Sequence, residues 1–210
     1  MVQNMNYFAE RYRLKISWVV GIASLFIVFF TKSRYQEGGL YDLFKVLGYS
    51  LIIIATLGRI WASIYICGRK DEEVCQDGPY SIIRNPLYVF SFIGAVGVIL
   101  GSKILILFLI VMPLFIFNYY FVICSEERRL LQMFGDKFAA YCAKVERITP
   151  NFNNYWTQEK LQIEPKVIVR SMLHASFFMW IIVALEILEY LKGAGVNDQG
   201  LIPTLWVLPF

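Results

Sequence analysis

Long apolar runs separated by short polar connections set the architecture. Residues 14–31, 41–66, 86–101, 104–124 and 167–190 are each almost continuously apolar. A helix needs roughly 20 residues to cross a bilayer's hydrocarbon core, so the runs predict five membrane-spanning helices, the third of them short. The tail 201–210 (LIPTLWVLPF) is too short to cross. Barrel strands alternate apolar and polar residues, so continuous runs predict helices and an all-α class. Only Ser102 and its neighbours part the third run from the fourth, which makes these helices an antiparallel hairpin. The fourth continues from Ile104 to Phe134, interrupted only by Pro113, which kinks it. Such a helix is about 45 Å long against a core of about 30 Å. Its last three turns therefore extend beyond the membrane, carrying Glu126, Glu127, Arg128 and Arg129. Gly135 caps it, and "DKFAAYCAKVERITP" reads as a short amphipathic helix ending before Pro150.

Composition agrees with this reading. Hydrophobic residues make up 58% of the 210 positions and charged residues only 17%, too apolar a balance for a soluble domain of this size. The first run lacks a small-residue cleavage site and is followed by Lys32 and Arg34, so it is not read as a secretory signal. Lysine and arginine set the orientation. One side holds Arg11, Arg13, Lys15, Arg69, Lys70, Arg84 and the dense set Arg128, Arg129, Lys137, Lys144, Arg147, Lys160 and Lys166. The other holds Lys32, Arg34, Lys45, Lys103 and Lys192. The N-terminus and the 125–165 segment are therefore expected in the cytoplasm. The net charge of +4 belongs to this basic face, which suits contact with anionic lipid. No basic stripe with interleaved aromatics points to nucleic acid. Cys67, Cys75, Cys124 and Cys142 lack C-x-x-C spacing and histidine partners, so neither a disulfide framework nor a metal site is expected. Without an internal repeat or low-complexity linker, residues 1–210 read as one membrane domain.

The polar residues at the hairpin's open end carry the candidate chemistry. Folding the hairpin brings "GPYSIIRNPLYVF" (78–90) beside "CSEERRL" (124–130), about 40 residues later. Singly, each feature has a plain structural reading. Arg84 suits a snorkelling position, Glu126 and Glu127 a solvated helix face, and Pro86 a helix start that needs no donor. Together they concentrate an arginine, two carboxylates and tyrosines at one end of one hairpin. Elsewhere, Arg59 lies about two turns inside the second span, facing either this site or the headgroups. Arg170 and His174 lie four apart on one face of the last span. His174 is the chain's only histidine and its best candidate for a general base; a hydrogen-bonded structural role is the alternative. Glu186 and Glu189 read as packing or solvent-facing groups.

These residues resemble a known family. "GPYSIIRNPLY" is similar to the G-x-Y-x-x-x-R-H-P-x-Y signature of the isoprenylcysteine carboxyl methyltransferase and phospholipid methyltransferase superfamily. "EERRLLQMFGDKFAAYCAKVERITP" resembles its second signature: E-E-x-x-L, then F-G, then Y, V and P at similar spacing. The resemblance covers about residues 77–150, with both halves in order. It implies an integral membrane methyltransferase using S-adenosylmethionine on the cytoplasmic side, and a cofactor site of Tyr80, Arg84, Asn85, Pro86, Leu87, Tyr88, Glu126, Glu127 and Tyr141. Arg84 suits the cofactor's carboxylate, and Glu126 and Glu127 its ammonium or ribose hydroxyls. The tyrosines suit adenine or the sulfonium. In this sequence Asn85 stands where the family usually has histidine. Asparagine does not titrate, so that position offers no general base.

The resulting expectation is methyl transfer to a lipophilic acceptor: a prenylcysteine-like carboxylate, a lipid amine or a small apolar molecule. One competing reading is an NADPH-dependent membrane sterol-type reductase, a group with a related R-H-P-x-Y motif. The Glu126–Glu127 pair disfavours it, since an Arg-Asp pair is more usual there. Another is a non-enzymatic scaffold or small transporter, which leaves the paired signatures unexplained and shows no inverted repeat.

Overall fold

A computed structural model describes residues 22–33, 39–161, 165–193 and 206–208. Residues 22–30 are helical, and the remainder of the first expected span, 14–21, lies outside the described residues. Six helices follow: α1 (Gly39–Ile66), α2 (Pro79–Ile82), α3 (Pro86–Ser102), α4 (Leu107–Phe134), α5 (Asp136–Lys144) and α6 (Pro165–Leu191), with a 3-10 turn at Phe152–Asn154.

The all-helical class holds, with one addition. Thr31–Ser33 (β1) and Trp206–Leu208 (β2) form a parallel pair, Thr31 opposite Trp206 and Ser33 opposite Leu208. Among the described residues, three helices are long and apolar enough to cross a membrane: α1, α4 and residues 168–191 of α6. The run expected as a short third span is α3, an apolar helix of 17 residues. α4 begins at Leu107 rather than Ile104, because residues 103–106 form the turn after α3. It then runs 28 residues through Pro113 to Phe134. α5 ends at Lys144, so 145–150 is non-helical, extended at Val145 and bent at 147–149, a difference that matters for the site.

The described residues cluster in two compact units. One contains the described residues before Ser50, Val96–Asn118 and those from Ile182 onward. Its contacts are tight between α1 and α3. A Cβ on Gly48 would lie 2.4 Å from the Gly101 nitrogen and 2.7 Å from the Gly97 carbonyl. These are backbone atoms that no rotamer change can move, so glycine permits the close approach. Gly48→Ala should cost about 1–3 kcal/mol through overpacking, measured as an earlier thermal unfolding transition in detergent. Lys45 pairs with Glu186 at 2.7 Å and Glu189 at 3.1 Å, and Lys103 pairs with Glu189 at 2.6 Å. Both glutamates are thus tied to lysines; Glu186 remains exposed, while Glu189 is half-buried between Lys45 and Lys103.

The other unit contains Ser50–Ala95 and the described residues of Tyr119–Ile181, and holds the candidate site. Its interior joins α1, α2 and the residues between them through Ala62, Cys75 and Tyr80, with Tyr65, Ile66 and Leu87 packed against them. A second cluster, Phe138, Tyr141 and Val145, seats α5 against Leu130 and Phe134.

Candidate functional site

The stretch from Gly78 to Tyr88 is a short helix, a two-residue bend and the start of α3. Gly78 has φ 57°, and a Cβ there would lie 2.4 Å from the Tyr65 ring, so both conformation and space demand glycine. Pro79 and Pro86 open α2 and α3, where no helical partner awaits an N–H. The loop after α5 holds this stretch in place. Arg84 N donates to the Glu146 carbonyl at 2.9 Å, Asn151 N to the Ile82 carbonyl at 3.0 Å, and Gly78 N to the Trp156 carbonyl at 2.7 Å. The Trp156 amide donates in turn to the Ser81 hydroxyl at 3.0 Å. The end of α5 at Lys144 makes the first of these possible, since a continuing helix would have aligned the Glu146 carbonyl with its own axis.

These elements enclose a cavity of about 360 Å³, within the range of small-molecule sites. All nine cofactor-site candidates line it: Tyr80, Arg84, Asn85, Pro86, Leu87, Tyr88, Glu126, Glu127 and Tyr141. The sequence placed the two stretches at one hairpin end; the structure puts their side chains in contact. Arg84 Nη1 lies 3.2 Å from Glu127 Oε1. The Tyr88 hydroxyl donates to Glu126 Oε2 at 2.7 Å, and the Tyr141 hydroxyl donates to the Tyr80 carbonyl at 2.7 Å. Arg170 and His174 do not join them. Both are exposed on α6, outside the cavity lining, because their face of the helix turns away from it.

Two features were not evident from sequence. Arg147, counted there only toward orientation, grips Glu127 with a fork: Nη2 to Oε2 at 2.5 Å and Nε to Oε1 at 3.2 Å. Glu127 therefore bridges two arginines. Arg129 holds Asp71 in a similar fork, at 2.8 and 2.9 Å, at another part of the lining. Asn85 Nδ2 donates to the Arg147 carbonyl at 3.2 Å. An imidazole N–H can make the same bond, so asparagine keeps the tether that histidine offers while losing its titration.

Burial sets the protonation states around the cavity. The Tyr80 phenol is pushed well above its ordinary range, chiefly by burial. Burial likewise raises Tyr141 and pushes the Cys75 thiol up to about 12, so Cys75 stays protonated and is no nucleophile. The Arg129 fork holds Asp71 below the usual carboxylate range. Among the described residues, the Tyr80 hydroxyl and Arg84 Nε are buried without a hydrogen-bonding partner. Unmet polar atoms of this kind are costly unless something binds them. Two unmet donors beside an acidic pair fit a ligand that carries both an anionic group and hydrogen-bonding groups. Among the described residues no group of three His, Cys, Asp or Glu is placed to hold a metal ion.

Residues 43–137 match the phospholipid methyltransferase family, which bears out the resemblance drawn from the two motifs. The chain is similar to the cobalt-zinc-cadmium resistance protein CzcN of Cupriavidus metallidurans, 28% identical over 192 residues, covering 91% of this chain and 88% of that protein. It is 27% identical over 206 residues to the nickel-cobalt-cadmium resistance protein NccN of Alcaligenes xylosoxydans xylosoxydans, covering 98% and 93%. It is also 34% identical over 126 residues to the protein-S-isoprenylcysteine O-methyltransferase of Schizosaccharomyces pombe, covering 57% of this chain and 51% of that enzyme. No solved structure matches the chain.

Proposed function

We propose that the chain is an S-adenosylmethionine-dependent membrane methyltransferase acting on a lipophilic acceptor, working as one membrane domain with its site facing the cytoplasm. One observation carries the reading. Both signature stretches line a single cavity in which the Tyr80 hydroxyl and Arg84 Nε have no partner among the described residues. Arg84 would hold the cofactor's carboxylate, and Glu126 and Glu127 its ammonium or ribose hydroxyls. Tyr80 offers a protonated hydroxyl, and Tyr88 and Tyr141 offer aromatic faces suited to adenine or a cation. When bound, the cofactor supplies a methyl group already activated for displacement.

The protein's part is then largely positioning. Pro86 fixes the start of α3, Asn85 ties that start to the 145–150 segment, and Arg147 holds Glu127 in orientation. Burial pushes the Tyr80 phenol well above its ordinary range, so it stays protonated over the physiological range and can donate a hydrogen bond. The lysine and arginine distribution supports a cytoplasmic N-terminus, and the apolar runs support five spans. Two of the relatives are named for metal resistance, and this reading sets methylation of a membrane constituent in that context.

Calorimetric titration of the purified full chain in detergent tests the reading. S-adenosylhomocysteine should bind at one site, and NADPH should give no heat above dilution. Binding of NADPH without S-adenosylhomocysteine would move the protein to the reductase class.

A further inference from the structure

Between α5 and α6 the chain returns to the level of a membrane-spanning helix. The Tyr155 ring lies 6.3 Å from the Trp61 ring. Trp61 is five residues before the end of α1, about 7.5 Å along its axis, in a helix long and apolar enough to cross a membrane. Two residues on, the Thr157 hydroxyl is 2.9 Å from the Tyr65 hydroxyl, one helical turn nearer the end of α1. The loop therefore dips beside α1 and leaves again along it. Its surface inverts the pattern of a solvated loop, which exposes backbone and hides large apolar groups. Phe152 is 72% exposed, Tyr155 49% and Trp156 55%. The backbone donors are meanwhile met within the protein. Asn151 N bonds the Ile82 carbonyl, Asn153 N the Asn151 side chain, and Asn154 N the Asn151 carbonyl. Tyr155 N bonds the Phe152 carbonyl, and Trp156 N the Ser81 hydroxyl.

Exposed aromatic side chains on a loop whose N–H groups are bonded internally suit the boundary between lipid headgroups and acyl chains. Tryptophan and tyrosine concentrate there on membrane proteins. Irregular backbone is tolerated at that depth only where the protein itself satisfies its polar groups. Charge on either side agrees: Lys144 and Lys160 flank the loop and are exposed, where they suit lipid phosphates. We infer that residues 152–156 are an interfacial wedge, with Phe152, Tyr155 and Trp156 seated in the protein's own bilayer beside the last turns of α1. Within the 125–165 segment expected in the cytoplasm, this loop is then the part that enters the membrane. The wedge also braces the cavity wall. The Trp156 carbonyl accepts from Gly78 N at 2.7 Å, and Gly78 and Ser81 flank Tyr80, which lines the cavity. Seating the wedge thus fixes the height of α2 against the bilayer, whichever reaction the cavity supports.

The test attaches an NBD fluorophore at Phe152→Cys in the full chain, reconstituted in vesicles of phosphatidylcholine and phosphatidylglycerol. Cys124→Ser and Cys142→Ser remove the two half-buried thiols, while the buried Cys67 and Cys75 stay in place. The same background without Phe152→Cys measures residual labelling. A label at Lys137→Cys, exposed on α5, is the water-facing reference. Two quenchers are compared: iodide on both faces of the membrane, and a phosphatidylcholine carrying its nitroxide near the glycerol end of an acyl chain. The label at position 152 should lose most of its emission to the nitroxide lipid and little to iodide, and the label at 137 the reverse. Equal iodide quenching at the two positions overturns the wedge. Protection from both quenchers overturns it as well, and assigns the loop to a contact with another protein chain. Native tryptophan emission gives a second reading that needs no label. Trp156→Phe should leave iodide quenching of the total emission no weaker than in wild type, because the ring removed was not in water. Weaker quenching in the variant puts Trp156 in water and overturns the wedge.

Discussion

Arg84→Ala should weaken S-adenosylhomocysteine binding about 10- to 150-fold, the equivalent of one charge-assisted contact of roughly 1.5–3 kcal/mol. The geometry makes this more than the loss of a surface charge. The Arg84 side chain is only 15% exposed, and its buried Nε has no partner among the described residues. A ligand that accepts from Nε gains an interaction the protein alone does not make. The substitution should leave folding largely intact, because Glu127 keeps its fork to Arg147 and is not stranded. Affinity and stability should therefore separate: a large drop in binding with a small shift in melting. Arg84→Lys should recover little, since an ammonium cannot reproduce a planar fork. Wild-type affinity in Arg84→Ala, measured by calorimetry, removes this residue from the cofactor site.

Glu127→Gln should have the opposite balance. Glu127 is 14% exposed and faces guanidinium groups from Arg84 and Arg147. Removing its charge leaves two arginines facing each other without an anion. Breaking one member of a partly buried ionic network in this way should cost about 2–4 kcal/mol of stability, seen as a lower melting temperature in detergent. Cofactor affinity should fall as well, because Arg84 loses the group that orients it. Adding Arg147→Gln should restore part of the stability by relieving the repulsion, which makes the pair a test of coupling. Glu126→Gln should be milder, since the glutamine carbonyl still accepts from the Tyr88 hydroxyl. Unaltered melting in Glu127→Gln would show that the bridge contributes nothing measurable.

Helix identity was legible because membrane helices carry their reason in composition: a continuous apolar run has few other stable states in a bilayer. Thus α1, α3, α4 and α6 all fall within or close to their expected bounds. The helix ending at Phe134 was legible for a local reason, a glycine directly after an apolar stripe. The meeting of 78–90 with 124–130 was legible because a short connection leaves two helices little choice but to fold back on each other. Less legible were the turn at 103–106 and the end of α5 at Lys144, since end positions depend on what the released backbone groups find to bond. After Lys144 they find α2 and the start of α3: the Glu146 and Arg147 carbonyls serve Arg84 and Asn85.

Side-chain pairing was beyond the sequence altogether. Arg147 in "VERITP" looked like one more basic residue of a cytoplasmic face, and nothing in its neighbours marked it as the clamp on Glu127. Arg59 had two readings of equal standing, cavity or headgroup, which differ only in how one helix is rotated about its axis. The same rotation problem left open which way the polar pair on α6 faces. Arg170 and His174 do share a face, as their spacing of four requires, but that face is exposed and not part of the cavity. Periodicity along one chain tells which residues of a helix point the same way. Which way that is depends on the neighbouring helices, and only their packing decides it.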